Sequence, residues 1–91
     1  MIEYLHPDDL EITHGIRDRK RLEELLTSIR TQGILEPIKV VLYNGLWFTV
    51  DGHHRHKVAI ILQMEQIPVE QVVLPFNGYN KTEDLIYQDI R

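Results

Sequence analysis

One stretch of the 91-residue chain concentrates groups able to do chemistry, Phe48-Thr49-Val50-Asp51-Gly52-His53-His54-Arg55. Its pattern predicts a strand that ends, a glycine that turns and a helix that begins. The first N–H groups of such a helix lack intrahelical partners and lie at the positive end of its dipole. Gly52 lets a ligand come close to the backbone. Arg55 can fork two N–H groups onto a phosphate, and His53 and His54 add donors whose charge varies near neutral pH. Together these residues describe an anion site, and phosphate is a frequent guest at such sites. The plainer alternative is that Asp51 caps the helix while His53, His54, Arg55 and His56 are solvated. Cations in a first turn oppose the dipole, however, and charge placed against local preference often marks function.

The same histidines invite a metal reading. Adjacent side chains on a helix point about 100° apart, so His53, His54 and His56 cannot all converge on one ion. The His-Glu-x-x-His pattern of zinc proteases is absent. No dedicated metal site is expected, although Asp51 with one His could hold Mg²⁺ beside a nucleotide. Tyr43 and Trp47 could stack a base, but small sheets more often use such residues as core or cross-strand pairs. Tyr79 and Tyr87 have no assignable role. Arg17, Arg19, Lys20 and Arg21 form a basic cluster where a helix is predicted to start. It reads as solvated surface, or as a weak, salt-sensitive contact with a nucleic-acid backbone.

The elements that must position these groups follow from periodicity. Residues 2–5 read as a short strand, closed by a turn led by Pro7; residues 11–13 are a weaker extended segment. An amphipathic helix is expected over 18–32, with Leu22, Leu25, Leu26 and Ile29 on one face, Asp18 as N-cap and Gly33 as a left-handed C-cap. Pro37 stops it. Residues 38–43 and 46–50 flank Asn44-Gly45, a hairpin signal, with Phe48 and Val50 on one face and Trp47 and Thr49 on the other. A second helix is expected over 53–64, with Val58, Ala59, Ile61 and Leu62 apolar. Residues 67–74 form a further strand. Thr82 caps a last helix reaching residue 90, docked by Leu85, Ile86 and Ile90. The outcome is a small α+β domain, a mixed sheet with one hairpin and about three helices, spanning residues 1–91 as one unit.

Composition bounds the rest. With 43% hydrophobic and 26% charged residues the chain is that of an ordinary globular protein. A single modest core and roughly 5 kcal/mol of stability are expected. Ten Lys and Arg against fourteen Asp and Glu give a net charge of −4, which argues against the whole surface being a nonspecific nucleic-acid binder. The chain has no Cys, which removes disulfides, thiolate catalysis and sulfur-ligated zinc, and fits a cytoplasmic address. No run of about 18 apolar residues and no signal-peptide pattern are present, so no membrane partner is expected.

Two motifs then carry a resemblance. Leu22-Glu23-Glu24-Leu25-Leu26-Thr27-Ser28-Ile29-Arg30-Thr31-Gln32-Gly33-Ile34-Leu35-Glu36-Pro37-Ile38-Lys39-Val40 resembles the first box of ParB N-terminal domains, a helix of the type Leu-x-x-Ser-Ile leading to Gly-x-x-x-Pro-Ile-x-Val. Val50-Asp51-Gly52-His53-His54-Arg55 resembles the second box, which reads Gly-Glu-Arg-Arg in ParB proteins and Gly-Cys-His-Arg in sulfiredoxins. In the ParB-like free serine kinases it is Asp-Gly-His-His-Arg, as here.

The resemblance implies a ParB/sulfiredoxin-like fold that binds CTP, ATP or ADP, with Mg²⁺ as a further expectation. Gly52, His53, His54 and Arg55 would hold the phosphates. The loop containing Gly33, Glu36 and Pro37 would form the opposite wall, and Arg17 or Arg19 would reach a terminal phosphate. Asp51 and His54 would be the catalytic groups of any phosphoryl transfer or nucleotide hydrolysis. Departures prune the activities. The sulfiredoxin nucleophile falls at His53, so sulfinic acid reduction is excluded. Free serine kinases carry a Glu after a His upstream of the first helix, whereas here His14 is followed by Gly15. Asp18, Glu11 or Asp51 would have to orient the attacking hydroxyl. A nucleotide-binding domain is therefore the leading expectation. A non-enzymatic DNA-associated partition or regulatory module is the second, using Arg17, Arg19, Lys20 and Arg21. An interaction module that has lost its ligand is the third.

Overall fold

A computed structural model of the chain describes residues 2–13 and 15–86. The elements run β1 (Ile2–Leu5), a 3₁₀ turn (Pro7–Asp9), β2 (Leu10–Glu11), α1 (Arg19–Gln32), β3 (Ile38–Tyr43), β4 (Leu46–Asp51), α2 (His53–Ile61), β5 (Ile67–Gln71) and a second 3₁₀ turn (Thr82–Leu85). The five strands form one mixed sheet in the order β1-β5-β3-β4-β2. β3 pairs antiparallel with β4 and parallel with β5, while β1 and β2 take the two edges, antiparallel to β5 and parallel to β4.

Local chemistry explains most of this. Asn44 and Gly45 take φ values of 57° and 78°, the left-handed pair that lets the β3–β4 hairpin turn tightly. Asp18 accepts a hydrogen bond from the Arg21 N–H and caps α1, and the Gly33 N–H closes its other end on the Ile29 carbonyl. Gly33 has the expected positive φ of 75°, but its ψ of −175° is extended rather than left-handed helical. Lys39 and Glu70, opposite each other across β3 and β5, pair at 2.9 Å.

Two apolar clusters flank the sheet. One gathers Leu10, Ile38, Val40, Ala59, Ile67 and Val69, with Trp47 and Ile34 partly buried against it. On the other face Val41, Val50 and Leu85 are covered by Phe48, Val72, Leu74, Phe76 and Tyr79. Phe48 and Val50 thus share a face opposite to that of Trp47, as the alternation predicts.

Several boundaries differ from expectation. α2 stops at Ile61, not Met64, and Ile61 is 46% exposed, because His56, Val58 and Ala59 are the positions the helix buries. A polar residue sits on the inner face because its ring finds two partners there. β5 ends at Gln71, after which the chain leaves the sheet to cover the second cluster. Thr82 is not a cap. Asp84 reaches back to the N–H groups of Asn80 and Lys81, and a 3₁₀ turn results. Leu85 docks as expected and Ile86 does not, at 64% exposure, while Ile90 and the rest of that expected helix lie outside the described residues. Among the described residues the helices are thus two α-helices and two 3₁₀ turns.

Candidate functional site

The junction between β4 and α2 is built as the sequence suggests. Gly52 is the N-cap of α2, at φ 93° and ψ 31°, and no side chain caps the helix. Its intrahelical ladder begins with the His56 N–H on the Gly52 carbonyl at 2.9 Å, so the N–H groups of His53, His54 and Arg55 face out of the helix end. No acidic residue stands in this first turn.

Glycine is required at position 52 by more than its φ. A Cβ there would lie 2.8 Å from Arg55 Nη2, because the guanidinium lies across the glycine. Arg55 Nη1 donates to the carbonyls of Glu36 (2.7 Å) and Pro37 (3.3 Å), and Nη2 lies 3.9 Å from the Asp51 carboxylate. The structure therefore brings together Asp51, Gly52, Arg55, Glu36 and Pro37, with the arginine tying the loop after α1 to the start of α2. The Arg55 side chain is 18% exposed. His54 is half-buried, and its Nε2 is buried without a hydrogen-bond partner. Gly33 is spent on closing α1.

On the opposite side of the junction lies a cavity of about 730 Å³. Leu10, Ile12 and Ile60 give it apolar walls, His53, His56 and Lys57 line it with nitrogen, and Asp8 and Glu11 add carboxylates. Gly15 and Ile16 also border it, so the exposed Arg17 follows directly on its edge. His14 lies outside the described residues. Arg19, Lys20 and Arg21 are exposed in the first turn of α1. Tyr43 is 42% exposed at the hairpin end and Trp47 packs on the first cluster.

A hydrogen-bonded chain that sequence reasoning missed runs beneath this cavity. His56 Nε2 lies 2.8 Å from the Pro7 carbonyl, so that nitrogen carries a proton, and Nδ1 lies 3.5 Å from the Thr49 hydroxyl. Burial lowers the His56 pKa, and the Pro7 carbonyl and Asp8 carboxylate offset part of that. The buried Thr13 hydroxyl donates to the Thr49 carbonyl at 2.7 Å and meets the Tyr79 hydroxyl at 2.7 Å, which in turn lies 3.2 Å from His53 Nε2. Burial pushes the Tyr79 phenol up, and its bond to Thr13 offsets part of the shift. The signal for Tyr79 was present in Asn77-Gly78, a second Asn-Gly pair. Their φ values of 51° and 87°, with the N–H of Phe76 and of Tyr79 each bonded to the other residue's carbonyl, make a tight turn. Among the described residues no three His, Asp or Glu side chains gather closely enough to hold a metal ion. No helix among them is long and apolar enough to cross a membrane.

A small mixed sheet, a glycine-capped second helix and an uncapped helix end beside a cavity define an α+β domain of the ParB/sulfiredoxin type. The chain belongs to the ParB N-terminal domain family, whose model matches residues 2–80. It is 37% identical over 62 residues to a nucleoid occlusion protein of Halalkalibacterium halodurans, covering 68% of this chain and 21% of that protein. The chain thus spans about a fifth of the length of that relative.

Among solved structures it is similar to sulfiredoxin from Arabidopsis thaliana, at a TM-score of 0.70 and 26% identity over 79% of this chain and 84% of that one. It is also similar to the C-terminally truncated chromosome-partitioning protein ParB from Caulobacter crescentus complexed with CTP-gamma-S, at 0.73 and 20% identity over 94% and 48% of the two chains. A free serine kinase in complex with AMP superposes at 0.69 and 22% identity, over 78% and 30%.

Proposed function

We propose that this domain binds a nucleotide, with its phosphates at the start of α2 and the remainder in the adjoining cavity. The observation that carries this reading is the helix end itself. It is uncapped, turned by a left-handed glycine, lacks acid in its first turn and has the imidazoles of His53 and His54 in that turn. A cavity of about 730 Å³ opening beside it lies within the roughly 300–1,000 Å³ of small-molecule sites. Membership of a family with nucleotide-bound neighbours supports the same reading.

Under this proposal the N–H groups of the first turn, His53 and His54 meet the phosphates. Arg55 adds positive charge at the helix start while bracing Glu36 and Pro37 on the side away from the cavity, and Arg17 and Lys57 supply cations at the rim. Mg²⁺ would be held by Asp51 and the phosphates together. Asp51 and His54 are the groups to test for phosphoryl transfer. Titration calorimetry with CTP, ATP and ADP, with and without Mg²⁺, is expected to give saturable heat with at least one of them. No heat with any of the three at high protein concentration overturns the proposal. Arg55→Ala should weaken binding about ten-fold or more, and loss of phosphate release in Asp51→Asn would mark a hydrolase.

A second reading is favoured by the exposed basic first turn of α1 and by the nucleoid occlusion relative. Arg17, Arg19, Lys20 and Arg21 would touch a DNA backbone as part of a non-enzymatic partition or regulatory module. Four cations give weak, salt-sensitive binding. A mobility shift at low salt that survives charge reversal of Arg19, Lys20 and Arg21 rejects it.

A further inference from the structure

The turn at Asn77-Gly78 touches the β4–α2 junction on both sides. Asn77 Nδ2 donates to the Val50 carbonyl at 2.7 Å, just before Asp51, and the Tyr79 hydroxyl lies 3.2 Å from His53 Nε2, just after Gly52. The turn therefore brackets the two residues that shape the open helix end, from 26 or more positions further along the chain.

Proton counting fixes the direction of these bonds. A hydroxyl has one hydrogen to give. Thr13 gives its own to the Thr49 carbonyl, so the Tyr79 hydroxyl must donate to Thr13 Oγ1. With its hydrogen spent, the Tyr79 oxygen can only accept from His53 Nε2. That nitrogen is then a donor, which selects the ring's tautomer. Thr13 and Thr49 are buried, which fixes the inner end of the chain.

We propose that Tyr79 is a positioning residue for the nucleotide site, holding the His53 imidazole with Nε2 protonated at the edge of the cavity. The proposal rests on the nucleotide reading given above. A ring already oriented loses less freedom when a ligand arrives, and one neutral hydrogen bond sets the size of the effect. Phenylalanine at this position keeps the aromatic contact with the second cluster and removes only the hydroxyl.

The test has two arms. The first is the ¹⁵N spectrum of the wild-type imidazoles at about pH 8, above the ordinary imidazole range. His53 is expected to show protonated Nε2 and unprotonated Nδ1, with the balance moving toward Nδ1 in Tyr79→Phe. The second is calorimetry with the tightest of CTP, ATP and ADP, where Tyr79→Phe should weaken binding about three- to ten-fold. A wild-type His53 protonated on Nδ1 alone overturns the hold, and this arm needs no variant that folds. Unchanged affinity in a folded Tyr79→Phe overturns the role in binding. If the wild-type protein binds none of the three nucleotides, the proposed function fails and the binding role with it, while the spectrum still decides the hold on His53.

Discussion

The two α-helices begin in opposite ways. α1 is closed by its own carboxylate, since Asp18 accepts the Arg21 N–H at 3.0 Å. α2 begins on a glycine with no side chain to offer, and its first-turn amides face outward. What α2 lacks at its tip it recovers along its flank. His56, one turn in, reaches Pro7 and Thr49, and Arg55 reaches Glu36 and Pro37. A capped helix is stabilised at the point where a ligand would enter, whereas a helix anchored from its side leaves that point open. The difference separates a helix start closed by its own side chain from one that, under the proposal, receives a ligand.

Removing the flank anchor should break the open end most severely. His56→Ala strips the Pro7 carbonyl of its donor, leaves the Thr49 hydroxyl short of a partner and opens a cavity. A loss of about 3 kcal/mol is expected in denaturant titration. The same ring gives stability a pH dependence. Its native pKa lies below the ordinary 6.5, so in the window beneath 6.5 the unfolded chain takes up a proton that the native chain refuses. His56 stabilises fully above that window, and its contribution is lost as the pH falls through it to the lower native value. His56→Ala should flatten this slope, and an unchanged slope would assign the dependence to another group.

Next in size is the tip. Gly52→Ala places a methyl at φ 93° and 2.8 Å from the Arg55 guanidinium. The backbone strain and the displaced arginine together should cost about 1–2 kcal/mol by thermal melting. Nucleotide binding, if the tip is the phosphate seat, should fall further than stability does. A variant that melts early yet binds as the wild type does would separate glycine's structural role from the proposed one.

The sequence made one of these helix starts more legible than the other. Asp18, a regular apolar stripe and Gly33 announce α1 and both its ends, because capping and periodicity are local. The Asn44-Gly45 hairpin and the strand–glycine–helix junction are legible for the same reason. The partners of the junction are not. Arg55 reads as a phosphate fork, but part of its donor capacity goes to two backbone carbonyls 18 and 19 positions away. His56 reads as a solvated or metal-ligating histidine, yet it is buried because Pro7, 49 residues distant, faces it with a carbonyl. Thr13 had no local pattern, Asn77-Gly78 announced a turn before Tyr79 but not its partner, and only the fold brings the two hydroxyls within 2.7 Å. Side-chain contacts between residues so far apart in sequence leave no periodic trace. The end of α2 is hard to read for a related reason: Ile61 and Leu62 extend the apolar run, yet the helix ends at Ile61, which is 46% exposed.

The smallest expected effect is the control that sharpens the contrast. Asp18→Ala removes the carboxylate that closes α1 and leaves the Arg21 N–H to solvent, which should cost about 1 kcal/mol. It also removes the negative charge at the tip, next to Arg17, Arg19, Lys20 and Arg21, so this helix start becomes an uncapped end with cations around it. If an open, positive helix end were sufficient for a nucleotide, this variant would gain binding there, visible as a second calorimetric site. We expect instead a single site of unchanged affinity. The α1 start lacks what surrounds α2, namely a left-handed glycine that lets a ligand reach the backbone and imidazoles in the first turn. A second site appearing in Asp18→Ala would mean that amides and charge alone suffice, and that the glycine turn and the histidines are not what distinguishes the α2 end.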